Sequence, residues 1–186
     1  CLAAWFLLRR VPPGSQRSIS LAAILLIVFW ILCWLVKSLP VSAALSRYCW
    51  FMSYIPRHFL PVVWIGMCAA SRTGRLPSRR LLTWLAGAAL VLSVLVLSND
   101  IHQQVFDYLT ETADEYLNEY RNGPGYHLSL AWSFSLIIAG LVLLLRRQMA
   151  RRERLQLLYA GILAVFLLAY QVTYMLNVLP VLDLDI

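Results

Sequence analysis

Long uncharged apolar runs, separated by short polar connections, set the pattern of the chain. Ile19 to Val36, Leu81 to Leu97, Leu128 to Leu145 and Leu155 to Leu176 each approach the length that a helix needs to cross the hydrocarbon core. That length is about 20 mostly apolar residues at about 1.5 Å of rise each. Leu2 to Leu8 reads as the end of an earlier span. Tyr48 to Ala70 is long enough to be another, although it carries Pro56, Arg57, His58 and Pro61.

Charge placement decides the status of that segment. The connections holding Arg9, Arg10 and Arg17, then Arg72, Arg75, Arg79 and Arg80, then Arg146, Arg147, Arg151, Arg152 and Arg154 contain 12 of the 16 basic residues. They share one side of a membrane only if Tyr48 to Ala70 crosses it. The other side then receives Lys37, Arg47 and Arg121 together with Asp100, Asp107, Glu111, Asp114, Glu115, Glu119, Asp183 and Asp185. By the positive-inside rule the arginine-rich connections are cytoplasmic. The expected fold is an all-α polytopic transmembrane helix bundle, with six crossings visible of an expected seven and the N-terminus outside. The cell membrane of a bacterium is the expected location and the lipid bilayer its first partner.

Composition agrees with this pattern. Of the 186 residues 61% are hydrophobic and 13% charged, with a mean hydropathy of +0.70, whereas a soluble domain carries about 25% charged residues. The net charge of +7 therefore reflects topology, and no nucleic-acid partner is expected for this segment. Cys1, Cys33, Cys49 and Cys68 show no CxxC and no paired spacing with histidines, so neither a zinc site nor a disulfide framework is expected. The opening on Cys1 lacks a basic n-region and a cleavage site, so it is not a signal peptide. The chain, 1–186, is expected to be a transmembrane domain cut from a longer protein at both ends.

The connection 99–127 is the longest and forms an acidic extracytoplasmic cap loop. Phe106, Leu109, Ala113, Tyr116 or Leu117 and Tyr120 recur at steps of three and four, which predicts a short amphipathic helix over the mouth of the bundle. Asp107, Glu111, Asp114 and Glu115 would form its acidic face, as a solvated surface or as a cation site. Asn122-Gly123-Pro124-Gly125 ends that helix and turns the chain into the next span.

Candidate chemistry gathers at the same end. Arg57 lies nine residues after Tyr48, a depth of about 14 Å on a continuous helix. It needs a partner, for which Asp100 or another loop carboxylate is expected, or a water-filled cavity; a kink at Pro56 would instead let it snorkel outward. Pro56 and Pro61 are the expected kinks. Asn99-Asp100-Ile101-His102 combines an amide, a carboxylate and an imidazole, either as a plain helix end or as a group that answers external pH. Tyr126, His127 and Trp132 face the same vestibule. His58, His102 and His127 could in principle meet around a metal, but their spacing carries no ligand signature, and no metal or cofactor is expected. Phosphate loops, HExxH and GxSxG are missing, so no catalytic residue is assigned.

Four stretches carry a resemblance. Arg47-Tyr48-Cys49-Trp50-Phe51-Met52-Ser53-Tyr54-Ile55-Pro56 with Leu60-Pro61, then Leu97-Ser98-Asn99-Asp100-Ile101-His102-Gln103, then Tyr120-x-x-Gly-Pro-Gly-Tyr126, then Leu130-Ala131-Trp132 occur in an order that resembles the N-terminal seven-transmembrane region of bacterial sensor histidine kinases. The similarity runs from about Arg47 to Met149 and departs from the usual pattern at Arg57-His58. The resemblance implies a non-catalytic sensory module, N-terminus outside, joined to a cytoplasmic output domain in the same chain and acting as a homodimer. The expected stimulus is a small molecule, an ion or an envelope condition, sensed at a vestibule lined by Asn99, Asp100, His102, Tyr126, His127 and Trp132, with Arg57 and His58 below. The alternative is a small multi-span transporter or channel subunit, for which Arg57, His58, Ser93, Ser133, Ser135, Gln171 and Thr173 are the only mid-membrane polar candidates. A membrane enzyme using Asp100 and His102 as acid and base is a further alternative.

Overall fold

The computed structural model describes residues 15–39, 41–73, 76–108 and 120–145. Their elements, in order, are α1 (Ser15–Lys37), α2 (Ala43–Met52), α3 (Tyr54–Thr73), α4 (Arg79–Leu97), α5 (Asn99–His102), β1 (Phe106–Tyr108), β2 (Tyr120–Asn122) and α6 (Pro124–Leu145). The expected spans at Leu2 to Leu8 and Leu155 to Leu176 lie outside the described residues, as do Gln171 and Thr173.

Local chemistry sets the helix ends. Ser42 and Ser78 cap α2 and α4, their side chains accepting from the amides of Leu45 and Leu81. Pro124 opens α6, where a missing N–H costs nothing because the first turn has no intrahelical acceptor for it. The segment Tyr48 to Ala70 is not one helix. It breaks at Ser53, whose Oγ donates to Trp50 O at 2.6 Å, and restarts at Tyr54 with Pro56 in the first turn. Arg57 therefore lies only about 5 Å along α3, not 14 Å down a continuous helix.

α1, α4 and α6 are long and apolar enough to cross a bilayer. α3 has the length, 20 residues, and sits among the other three, packing on α1, α4 and α6. Its polar residues are tolerated because protein, not lipid, covers them. The outward surfaces are apolar: Leu25, Ile31 and Leu35 on α1 and Leu90, Val91 and Val94 on α4 are exposed, as is Trp84 at 79%. In water such faces would cost free energy, whereas in lipid they are the solvated surface. Burial inside favours small and polar side chains, with Ser93, Ala89, Ser129 and Ser133 turned inward.

Close backbone approach fixes two of the contacts. Gly66 accepts Ile19 of α1, and Gly140 of α6 lies directly under the indole of Trp64, whose Nε1 donates to Ile137 O at 3.3 Å. Pro61, inside α3, cannot donate to the carbonyl of Arg57, four residues earlier. Ser133 of α6 turns its hydroxyl toward that carbonyl at 3.5 Å while also reaching Ser129 O at 3.2 Å. A side chain on a neighbouring helix thus covers the backbone group that proline leaves open, as lipid demands.

The cap loop differs from its expected helix. Phe106 and Tyr120 lie on two antiparallel strands with register Phe106 to Asn122, Asp107 to Arg121 and Tyr108 to Tyr120. The rest of the predicted stripe, including Glu111, Asp114 and Glu115, lies outside the described residues. At Phe106 the helical period does not hold, because the backbone there is kept extended by a buried side chain from α5, described below.

Gly140, with Gly87 as its control, supplies a test of the packing. Gly140→Ala should destabilise the protein by about 1–3 kcal/mol through overlap with Trp64. Gly87→Ala, where an added methyl meets nothing within 4 Å, should be neutral or stabilising by up to about 1 kcal/mol. Thermal unfolding of both variants in detergent reads the difference, and equal effects would contradict the Trp64 contact.

Candidate functional site

The end of the bundle that carries the loop is organised by Asn99. α4 stops at Leu97, Ser98 bonds back to Val94 O at 2.8 Å, and the single turn of α5 closes on Gln103 at φ 51°. The left-handed residue reverses the chain, and its amide returns to Asn99 O at 2.7 Å. Asn99 is fully buried beneath this reversal. Its Oδ1 accepts from the amides of Val105 and Phe106, both at 2.9 Å, and its Nδ2 donates to Phe106 O at 2.9 Å. Two N–H donors on one side-chain atom identify that atom as the oxygen.

Phe106, fixed by Asn99, is the centre of an aromatic cluster. Its ring lies 4.4 Å from Trp50, 5.3 Å from Tyr120, 5.6 Å from Tyr54 and 5.9 Å from Tyr126, centroid to centroid. It also stacks near-parallel on Phe51 at 6.2 Å. The loop backbone then rests on the start of α6: Gly123 donates to Val105 O at 2.8 Å and Gly125 to Gln104 O at 2.9 Å. A Cβ at Gly123 would strike the Gln104 carbonyl, and one at Gly125 would crowd the Val105 side chain. Gly-Pro-Gly is therefore a backbone docking surface as well as a helix start.

Arg47 of α2 pairs with Asp100 at 3.3 Å. Asp100 is thus not the partner of Arg57; the other loop carboxylates expected for that role, Glu111, Asp114, Glu115 and Glu119, lie outside the described residues. Arg57 instead lies over the rings of Tyr54 (4.6 Å) and Trp30 (5.5 Å), and its buried Nε has no hydrogen-bond partner among the described residues. The ion pair ties α2 to α5; the guanidinium of Arg57 stays on the aromatic faces of α1 and α3.

The expected vestibule residues do not line one open site. Asn99 is sealed and its amide is occupied. His102 is bound on both sides: Gln104 N–H donates to Nδ1 at 2.9 Å, so Nε2 carries the hydrogen that points to Leu95 O at 3.0 Å. His127 is exposed and touches Tyr126 edge-on at 5.7 Å. Trp132 donates its Nε1–H to His58 O at 3.1 Å, which joins α6 to α3. Among the described residues no three His, Cys, Asp or Glu side chains converge for a metal ion.

The structure does bring Arg57, His58 and Tyr126 together. With Tyr54, Ser129 and Ser133 they border a partly open cleft of about 20 Å³ between α3 and α6, room for about one water molecule. His58 is 1% exposed, and its Nδ1 lies 3.1 Å from Ser93 Oγ on α4. Ser93 spends its one hydrogen on Ala89 O at 2.8 Å, so His58 Nδ1–H is the donor to Ser93. His58 Nε2 is left as a buried acceptor without a partner among the described residues. Arg47, Ser93, Phe106 and the two glycines do their work through spatial partners, and in the sequence only the density of aromatic residues at Trp50, Phe51, Tyr54, Tyr120 and Tyr126 signals the cluster.

Loss of the Asn99 amide should be costly. Asn99→Leu leaves two backbone donors and one acceptor unsatisfied, an expected cost on the order of 3 kcal/mol or more. Asn99→Asp retains both acceptor bonds and should fall between that variant and the parent. Denaturant unfolding, followed by the near-ultraviolet dichroism of the aromatic cluster, measures both. A double-mutant cycle on Arg47 and Asp100 should give a coupling of about 0.5–1 kcal/mol, and one on Arg57 and Asp100 should give none.

The four stretches that carry the resemblance are one contiguous region in space: Trp50, Phe51 and Tyr54 from the first, Asn99 from the second, Tyr120 to Tyr126 from the third and Trp132 from the fourth meet at the cap or just beneath it. No curated protein and no solved structure matches the chain. The family model of the N-terminal 7TM region of histidine kinase matches residues 1–186. The chain is a membrane protein of that family, the sensory seven-transmembrane region of histidine kinases.

Proposed function

We propose that this domain detects an extracytoplasmic stimulus at its cap and the cleft beneath, and relays it to a cytoplasmic output domain in the same polypeptide. One observation carries the reading: the cap staples α2, α3, α4 and α6 to one loop through Phe106, Asn99 and the Gly123 and Gly125 amides. A stimulus that moves that loop moves four helices at once. Support for its orientation comes from charge, since Asp100 and Asp107 lie at the cap, beyond the C-terminal end of α4, while Arg79 and Arg80 form its opposite end. The membrane is then the bacterial cell membrane, with the cap facing the periplasm or exterior.

Transmission needs two packings of the bundle for which the stimulus has different affinities. α3 is the natural carrier. It contacts α1, α4 and α6, and Pro61 leaves its backbone without one internal bond, so that its register depends on Ser133. A homodimer is part of this reading, because kinase outputs of such receptors act in pairs.

Orientation is tested by cysteine labelling in a background whose native cysteines are replaced by serine. Asp107→Cys should react with an impermeant maleimide in intact cells and Arg79→Cys only after permeabilisation; the reverse order would overturn the orientation. Relay is tested on the full-length protein in proteoliposomes. Phe106→Ala should change output activity at least several-fold, whereas Trp84→Ala on the outward face should not, and insensitivity to both would remove the cap from the signalling path.

A further inference from the structure

Two thiols meet where α1 turns back into α2. The two helices pack on each other across a short connection. Ser46 Oγ ties that turn by donating to Lys37 O at 3.5 Å, and Lys37 Nζ lies 5.7 Å from the centre of the Trp50 ring. One turn below the tie, Cys33 stands about 6 Å along α1 from Lys37 and Cys49 about 4.5 Å along α2 from Ser46, so both are at one level. Steps of four and three residues keep them on the helix faces that carry the tie.

Their surroundings agree with that register. Cys33 is 7% exposed, and Cys49 is half-buried between the buried Ser46 and Trp50. Both are thiols, and the two sulfurs are near enough for charge on one to act on the other. Helices in contact lie about 8–10 Å apart axis to axis, with Cα atoms at a radius of about 2.3 Å. Residues opposed across such a contact are therefore about 3.5–5.5 Å apart at Cα, and farther when staggered, against about 4.4–6.8 Å across a disulfide.

We propose that Cys33 and Cys49 are a redox-modification site, which closes reversibly to a disulfide that pins α2 to α1 beneath the cap. The oxidant is a disulfide of the extracytoplasmic compartment, of the glutathione or protein type. Cys49, the more accessible thiol, gives its proton to water, and its thiolate attacks one sulfur of the oxidant. An S–S bond forms, the oxidant's S–S bond breaks, and one thiol leaves with a proton. Cys33 then attacks the Cys49 sulfur in the same way and expels the second thiol, so that two cysteine sulfurs are oxidised and the oxidant is reduced to two thiols. Because α2 holds the cap through Arg47 on Asp100 and Trp50 on Phe106, the bond would fix that hold. The compartment and the meaning of the bond as a stimulus rest on the sensor reading; closure of the bond does not.

The test treats the purified chain in nanodiscs with oxidised glutathione at pH 8 and maps it by non-reducing proteolysis and mass spectrometry. A peptide joining Cys33 to Cys49, a loss of two hydrogens and full reversal by dithiothreitol are expected. Cys33→Ser should leave Cys49 as a stable mixed disulfide with glutathione, and Cys49→Ser should slow modification of the buried Cys33 at least tenfold. Absence of the linked peptide, a bond from Cys49 to a second copy of the chain in its place, or an undiminished rate at Cys33 without Cys49 would overturn the proposal. Should a serine variant fail to fold by circular dichroism, the peptide map of the parent protein decides. In the full-length protein in proteoliposomes, oxidation should change output several-fold in the parent and leave Cys33→Ser unchanged. A bond that closes without altering output would keep the site and remove its part in sensing, whereas output that answers Phe106→Ala while the thiols never link would keep the sensor reading and overturn the site.

Discussion

A single buried amide holds this structure at its functional end. Asn99 has no exposed surface, and its side chain satisfies two N–H groups and one carbonyl of the loop that follows it. Those backbone groups sit where water does not reach, so without the amide they would have to open the loop to find partners. Once held extended, the loop places Phe106 among Trp50, Tyr54, Tyr120 and Tyr126 and lays its carbonyls on the amides of Gly123 and Gly125. The aromatic cluster, the strand pair and the approach of α6 to α4 all follow from that geometry.

Below the cap, a second set of polar contacts connects the helices where apolar burial gives no drive for association. His58 reaches Ser93 on α4, Trp132 reaches the His58 carbonyl, and Ser133 turns to the carbonyl freed by Pro61. Interhelical bonds of this kind contribute about 0.6 kcal/mol each in a bilayer, so they specify register more than they add stability. Close packing supplies the remainder, through Gly140 beneath Trp64 and Gly66 beneath Ile19.

The two layers differ in how their polar groups are bonded. The cap is held together by the three hydrogen bonds of Asn99 and the ring contacts of Phe106. Beside the cleft, Arg57 Nε and His58 Nε2 have no hydrogen-bond partner among the described residues. Both residues lie about one turn before Pro61 in α3, where the helix lacks an internal bond.

The sequence by itself determined the membrane class, the helical spans of α1, α4 and α6 and the separation of acidic from arginine-rich connections. These follow from length and polarity, which are properties of each segment alone. It also singled out Asn99, Asp100, Arg57 and His58 as residues of consequence, because an amide or a charge beside a span demands a partner. Which partner each one has was settled only by tertiary structure. Arg47 takes Asp100, one of the carboxylates expected for Arg57, Ser93 takes the His58 ring, and the expected loop helix gives way to a strand at Phe106 because the Asn99 amide, from seven residues away, claims the backbone of Val105 and Phe106. Such choices depend on distances between segments remote in the chain, and periodicity within one segment carries no information about them.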